Sequence, residues 1–172
     1  MLNNLRELKI GLLLAVLAVV YGFGLGVTFG AFEDKIMDYL NSRAQNVLET
    51  VYKGDQAKID KVLGKAWKYF QRAHLHANGI GTTALAMILL LSAIPAPLML
   101  KKFTAFSLGF GALFYSSFWM FAALKAPVLG GTDEAKEALT WLAVPSSGLA
   151  MIGVTIMLML VIKYLYITLN RK

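Results

Sequence analysis

Four long runs without a single charged residue constrain this 172-residue chain more than any other feature. They extend over residues 10–32, 77–100, 103–124 and 142–162. Each run has close to the ~20 residues that an α-helix needs to cross about 30 Å of hydrocarbon. A helix in a soluble core has no reason to be apolar on every face over such a length. The sequence therefore predicts an all-α integral membrane protein with a four-transmembrane-helix bundle.

We assign residues 1–172 to a single membrane domain. The first, third and fourth spans follow the uncharged runs at 10–32, 103–124 and 142–162. The second is shorter and extends over 77–94, because two prolines follow it and proline cannot continue a helix.

The one sizeable hydrophilic segment, residues 33–76, lies between the first two spans. Its apolar residues recur at helical spacing on both sides of Lys53-Gly54-Asp55, which predicts an amphipathic helical hairpin with Asp55 as a helix N-cap. Whether the second helix of this hairpin continues into the second span is left open. Five cations share one face of that helix and are called the basic stripe below: Lys58, Lys61, Lys65, Lys68 and Arg72.

Positive charges in the short connections predict the orientation, because such charges concentrate on the cytoplasmic side of a cell (inner) membrane. Both termini are then cytoplasmic and residues 33–76 are extracytoplasmic. The cations that support this orientation are Arg6, Lys9, Lys101, Lys102, Lys163, Arg171 and Lys172. The net charge of +7 is best explained by anionic lipid headgroups beside the spans, and not by nucleic acid.

Glycines at four-residue intervals form a smooth ridge on the first span, at Gly22, Gly26 and Gly30. Such a ridge lets another helix approach closely, and it favours a homo-oligomer or a partner membrane subunit. A looser ridge of small residues on the third span includes Ser107, Gly111 and Ser116.

Several kinds of chemistry are excluded by composition. The chain has no cysteine, so it has no disulfide, thiolate metal site, iron–sulfur cluster or covalently attached heme. It also lacks a nucleophilic triad, a P-loop and a dinucleotide-binding glycine pattern, so a non-enzymatic protein is favoured over a small membrane enzyme.

Both histidines of the chain, His74 and His76, lie where the hydrophilic segment meets the second span. Two residues apart on a helix, they point in nearly opposite directions and cannot bind one metal ion together. The helical pattern predicts that His74 faces the bundle and that His76 faces the basic stripe or solvent. Asn78 is expected to be a hydrogen-bond partner of His74, and Gly81 to leave open space on the same face.

These residues form the candidate site. It consists of His74, His76, Asn78, Arg72 and Gly81, with His74 as the candidate metal ligand. A satisfied interhelical hydrogen bond is an alternative role for His74, as is the transfer of a proton or contact with a quinone.

The segment from Arg72 to Gly81, with its His-x-His-x-Asn motif, resembles the start of a helix in some catalytic subunits of heme–copper oxidases. In that family the helix carries the outer ligand of a low-spin heme. The resemblance implies that His74 is an axial ligand of heme b. Because the other spans contain no histidine, it implies a second ligand from Met120, from Met151, from another protomer or from a partner subunit.

The function expected from the sequence is a small membrane subunit or binding protein with a histidine-centred site at the outer membrane face. Heme b or a metal is the expected ligand, in an electron-transfer or quinone-linked complex. The alternatives are an accessory or scaffold protein without a small-molecule site, and a small protein that handles a lipid or solute.

Overall fold

The computed structural model describes the backbone of residues 2–169 and the side chains of residues 5–167. Six α-helices follow one another, with one short π-helix at Leu48–Tyr52. The α-helices are α1 (Leu2–Glu7), α2 (Lys9–Gln45), α3 (Gln56–Ala93), α4 (Leu98–Leu129), α5 (Thr132–Glu137) and α6 (Thr140–Leu169). The described residues include no β-strand. Arg171 and Lys172, two of the cations used for the orientation, lie outside the described residues.

The four long helices α2, α3, α4 and α6 are each long and apolar enough to cross a membrane. The predicted all-helical fold with four such helices is confirmed. We call the two ends of the assembly the Asp55 end, where α2 joins α3, and the Pro95 end, where α3 joins α4.

The hydrophilic segment is built mainly from extensions of the two long helices, with the π-helix at Leu48–Tyr52 between them. α2 passes through a kink at Phe32 (φ −137°, ψ 25°) and continues to Gln45. α3 is uninterrupted from Gln56 to Ala93, which answers the question that the sequence left open. It ends just before Pro95, because proline cannot extend the helix.

The turn at the Asp55 end has the predicted local chemistry. The Asp55 side chain accepts a hydrogen bond from the backbone N–H of Lys58 at 2.9 Å, which confirms it as the N-cap of α3. Before it, Lys53 (φ 55°) and Gly54 (φ 79°) both adopt left-handed backbone conformations. The chain therefore reverses within a few residues.

The four long helices do not all pack against one another. α4 packs against α2, α3 and α6, whereas α6 packs against α4 and makes little contact with α2 or α3. Small residues bring the backbones together: a Cβ atom on Gly109 would meet the carbonyl oxygen of Gly11, and one on Gly111 would meet Ala150 of α6. α4 is thus the central helix, and most of α6 remains exposed.

Tyr52 of the π-helix closes the end of α4. Its hydroxyl donates to the carbonyl oxygen of Pro127 at 2.8 Å in a buried contact. That carbonyl lies in the last turn of α4, where no partner within the helix is available. Burial raises the pKa of Tyr52, and the Glu134 carboxylate adds to the effect.

Replacing Tyr52 with phenylalanine is expected to cost about 1–2 kcal/mol, because the Pro127 carbonyl loses its donor. The raised pKa also predicts the pH dependence: the folded protein keeps the phenol proton where the unfolded chain has lost it. The stability supplied by Tyr52 is therefore complete below the usual tyrosine pKa and declines as pH rises through the raised value. Unfolding of the wild type and of Tyr52→Phe, compared from neutral to alkaline pH, should show a difference that shrinks. A constant difference would contradict this.

Candidate functional site

His74 and Asn78 of α3 fit into a notch that two glycines leave on α2. A Cβ atom on Gly26 would lie 2.7 Å from Cε1 of His74. One on Gly22 would lie 2.8 Å from Oδ1 of Asn78. The predicted glycine ridge is confirmed as a helix contact at these two positions, whereas Gly30 has open space around its Cα atom. His74 faces the neighbouring helix, as predicted.

The hydrogen bonds of His74 define its protonation. Its Nδ1 atom lies 2.7 Å from the carbonyl oxygen of Gly22. A carbonyl oxygen only accepts hydrogen bonds, so Nδ1 carries the proton and donates it. Asn78 Nδ2 lies 3.2 Å from that nitrogen and 3.2 Å from the His74 carbonyl oxygen, and it donates to the latter. Asn78 therefore lies beside His74, as the spacing predicts, but it bonds to the His74 backbone and not to the ring.

With Nδ1 bonded to Gly22, Nε2 is the ring nitrogen of His74 to which a ligand could bind. In a neutral imidazole with its proton on Nδ1, Nε2 carries a lone pair that can bind a metal or accept a hydrogen bond. Nε2 has no hydrogen-bond partner among the described residues. A histidine whose Nδ1–H is bonded to a backbone carbonyl is the usual arrangement of a metal ligand.

Aromatic rings line the α2–α3 interface beside His74. The ring of Phe29 has its centroid 6.1 Å from that of His74, in an edge-to-face arrangement. Its centroid is also 5.4 Å from Trp67 and 5.8 Å from Phe70. His74 therefore lies between a polar notch on one side and an apolar aromatic cluster on the other.

His76 lies on the face of the basic stripe, where its Nδ1 atom is 2.9 Å from the carbonyl oxygen of Arg72, and it is partly exposed. Its ring also packs against α4, with centroids 5.4 Å from Tyr115 and 6.1 Å from Trp119. This contact with α4 was not predicted, because it depends on where α4 crosses α3. The two histidines do point to different helices, in agreement with their spacing.

Arg72 lies over the ring of Trp119, with its guanidinium carbon 4.4 Å from the indole centroid. This cation–π contact directs Arg72 toward α4 and away from His74. The Trp119 side chain is almost fully buried, and its indole N–H has no acceptor among the described residues. No sequence pattern connects Trp119 with Arg72, because only the crossing of α3 and α4 brings the two residues together.

The open space that was predicted beside Gly81 is absent. Gly81 is buried, and a Cβ atom there would lie 3.1 Å from Val19 Cγ2 and 3.2 Å from the Cβ of Ala18. The expected open space is filled by α2, so Gly81 serves as a contact point between the helices.

The candidate residues thus form two groups. His74, Asn78 and Gly81 face α2, whereas Arg72 and His76 face α4. Neither methionine considered as a second heme ligand is directed to His74: the Met120 sulfur accepts a hydrogen bond from the Tyr21 hydroxyl at 3.0 Å. Met151 lies 66% exposed on α6. The described residues also contain no cluster of three or more metal-binding side chains.

Heme b needs two axial ligands, of which His74 could supply one through Nε2. The described part of the chain brings no second axial ligand to it. No known protein family matches the sequence, and no curated protein or solved structure is detectably similar to it. The resemblance of residues 72–81 to a heme-binding helix therefore stays a prediction.

Proposed function

We propose that the chain is an integral membrane protein in which α2, α3, α4 and α6 are the four spans. Its Asp55 end is extracytoplasmic, and its termini are cytoplasmic. Support comes from the four long apolar helices and from the cations near the Pro95 end, including Arg6, Lys9 and Lys102. His74 then lies near the outer membrane face.

We propose further that the protein is a small membrane subunit or binding protein whose ligand is held by Nε2 of His74. The observation that carries this proposal is the 2.7 Å hydrogen bond from His74 Nδ1 to the Gly22 carbonyl. This hydrogen bond fixes the orientation of the ring and leaves Nε2 as the nitrogen that can bind a ligand. A histidine at the edge of the hydrocarbon layer is a candidate for a functional role.

Heme b is the first ligand to test. It would supply one-electron transfer through its iron, in an electron-transfer or quinone-linked complex. His74 would hold it as one axial ligand, and a second copy of the chain or a partner subunit would supply the other. His76 has no part in this binding, because it faces α4.

The test is a visible spectrum, oxidised and dithionite-reduced, of detergent-purified protein made in cells with abundant heme. We expect a Soret band and sharp reduced bands in the wild type. Heme content should fall at least about tenfold in His74→Ala, because a direct ligand contributes at least as much as the residues that orient it. His76→Ala is the matched control, since it removes the other histidine and should keep the heme. A wild type without these bands would refute heme binding.

A second function is favoured by one observation, namely that His74 and Asn78 fill the notch at Gly22 and Gly26. In this proposal the protein is an accessory or scaffold protein, and the two polar residues join α2 to α3. A colourless wild type with no bound small molecule, and a His74→Ala variant that is less stable, would support the scaffold function. Native mass spectrometry of the same samples would identify a retained lipid or quinone.

A further inference from the structure

A second candidate site lies at the Pro95 end, far from His74 along the helices. A cleft of about 1010 Å³ opens between the α1–α2 junction and the first turns of α4. Its charged rim includes Arg6, Lys9 and Lys102, and its apolar wall includes Ile10, Phe103 and Phe106. None of these residues belongs to the histidine site.

The rim has a net positive charge after its internal pairing is counted. Lys102 forms an ion pair with Glu7, with Nζ 2.6 Å from Oε2. Arg6 and Lys9 are exposed, and neither forms an ion pair within the described part of the chain. Two cations are thus left at the rim, and they complement an anion such as a phosphate ester.

The apolar wall continues along α4 as a row of phenylalanines. Phe106, Phe110 and Phe114 follow Lys102 at four-residue intervals, so the four side chains share one face of the helix. The ring centroids are 5.5 Å apart for Phe106 and Phe110, and 4.3 Å apart for Phe110 and Phe114. All three rings are at least partly exposed. The row extends over about 12 Å from the cleft, which approaches the ~15 Å depth of one leaflet.

The cations at the helix ends match the headgroup of a phospholipid molecule, and the adjoining row of aromatic rings matches its acyl chains. We propose that this cleft binds an anionic glycerophospholipid of the cytoplasmic leaflet. Arg6 and Lys9 hold its phosphate, and an acyl chain lies along Phe106, Phe110 and Phe114. This inference rests on the proposed membrane orientation, but it is independent of any ligand at His74.

The site makes Glu7 a positioning residue. Because it pairs with Lys102, Glu7 keeps that lysine at the rim. It also lowers the net positive charge of the rim to a value that suits a single lipid headgroup. Lys102 also lowers the pKa of Glu7, through a hydrogen bond and through its charge, so the Glu7 carboxylate stays ionised at neutral pH.

The test measures lipid binding to the full-length protein in detergent by native mass spectrometry. Dioleoyl phosphatidylglycerol is compared with dioleoyl phosphatidylcholine, which has the same acyl chains and no net charge. We expect the anionic lipid to bind about tenfold or more tightly, and this preference to be lost in an Arg6→Gln/Lys9→Gln variant. The matched control is Lys61→Gln/Lys65→Gln, which removes the same charge from the basic stripe and should keep the preference.

Further arms separate the two parts of the lipid. Phe110→Ala should weaken binding of both lipids about equally, because it removes the middle ring of the aromatic row. Equal binding of the two lipids by the wild type, or an unchanged preference in Arg6→Gln/Lys9→Gln, would overturn the proposal. Complete displacement of the lipid by millimolar inorganic phosphate would overturn it too, and would assign the cleft to a free anion.

The outcome is independent of the heme test. His74→Ala should retain the lipid preference of the wild type, whatever the spectrum shows. Loss of the preference in His74→Ala would contradict the assignment of lipid binding to the cleft.

Discussion

Gly11→Ala is expected to destabilise the folded helices by about 3 kcal/mol, although it adds only one methyl group. The new Cβ atom would overlap the backbone carbonyl of Ala105 on α4 and lie 2.8 Å from the Ala105 Cβ. Backbone atoms cannot rotate away as the end of a side chain can, so α2 and α4 must separate. Because α4 also holds α3 and α6, the separation affects the whole assembly.

Gly24→Ala is the matched control, on the same helix and with the same chemical change. Nothing lies within 4 Å of the added Cβ atom, so this variant should gain up to about 1 kcal/mol from better helix propensity. Unfolding by sodium dodecyl sulfate from a mild detergent, followed by circular dichroism, measures both. Equal stability of the two variants would show that α2 and α4 do not approach so closely.

Gly130→Ala is expected to have the second largest effect, a loss of about 2–3 kcal/mol. Gly130 ends α4 with φ 76°, a conformation that costs other residues energy, and its N–H bonds to the Ala126 carbonyl. In addition, a Cβ atom there would overlap Cγ1 of Val51 in the π-helix. Backbone strain and steric overlap therefore add.

The two contributions can be measured separately. Gly54→Ala, at φ 79° with open space around it, should show the strain alone and lose about 1 kcal/mol. Adding Val51→Ala to Gly130→Ala should recover the steric part, as a double-mutant cycle on unfolding free energies would show. A loss in Gly130→Ala no larger than in Gly54→Ala, with no recovery, would contradict the contact with Val51.

Local features of the fold could be predicted, because helical periodicity and turn chemistry depend on residues that are close together in the sequence. The four long helices, the cap at Asp55 and the end of α3 before Pro95 are of this kind. The central position of α4 could not be predicted. Residues that face lipid and residues that face another helix are equally apolar, so periodicity does not show which helices touch. Glycines gave a partial signal, correct at Gly22 and Gly26 but not at Gly30.

The same reason explains the outcome at the site. The spacing of the residues is enough to predict that His74 and His76 point in different directions and that Asn78 lies beside His74. The surroundings of His76 and Gly81 depend on which helix lies opposite each of them. The helical pattern predicts that Arg72 and His76 share one face of α3, but it does not show that α4 covers part of this face with Tyr115 and Trp119.

The continuity of α3 sets the distance between the basic stripe and the bilayer. Its 38 residues measure about 57 Å, nearly twice the ~30 Å thickness of the hydrocarbon layer. If the span begins near Ala77, Lys58 stands about 28 Å above the hydrocarbon, well beyond the ~7 Å of headgroups and a further Debye length of about 8 Å. In that arrangement only Arg72 and its nearest neighbours would reach the lipid headgroups. The distal lysines would instead face the aqueous phase, where their charge would attract soluble anions and acidic proteins.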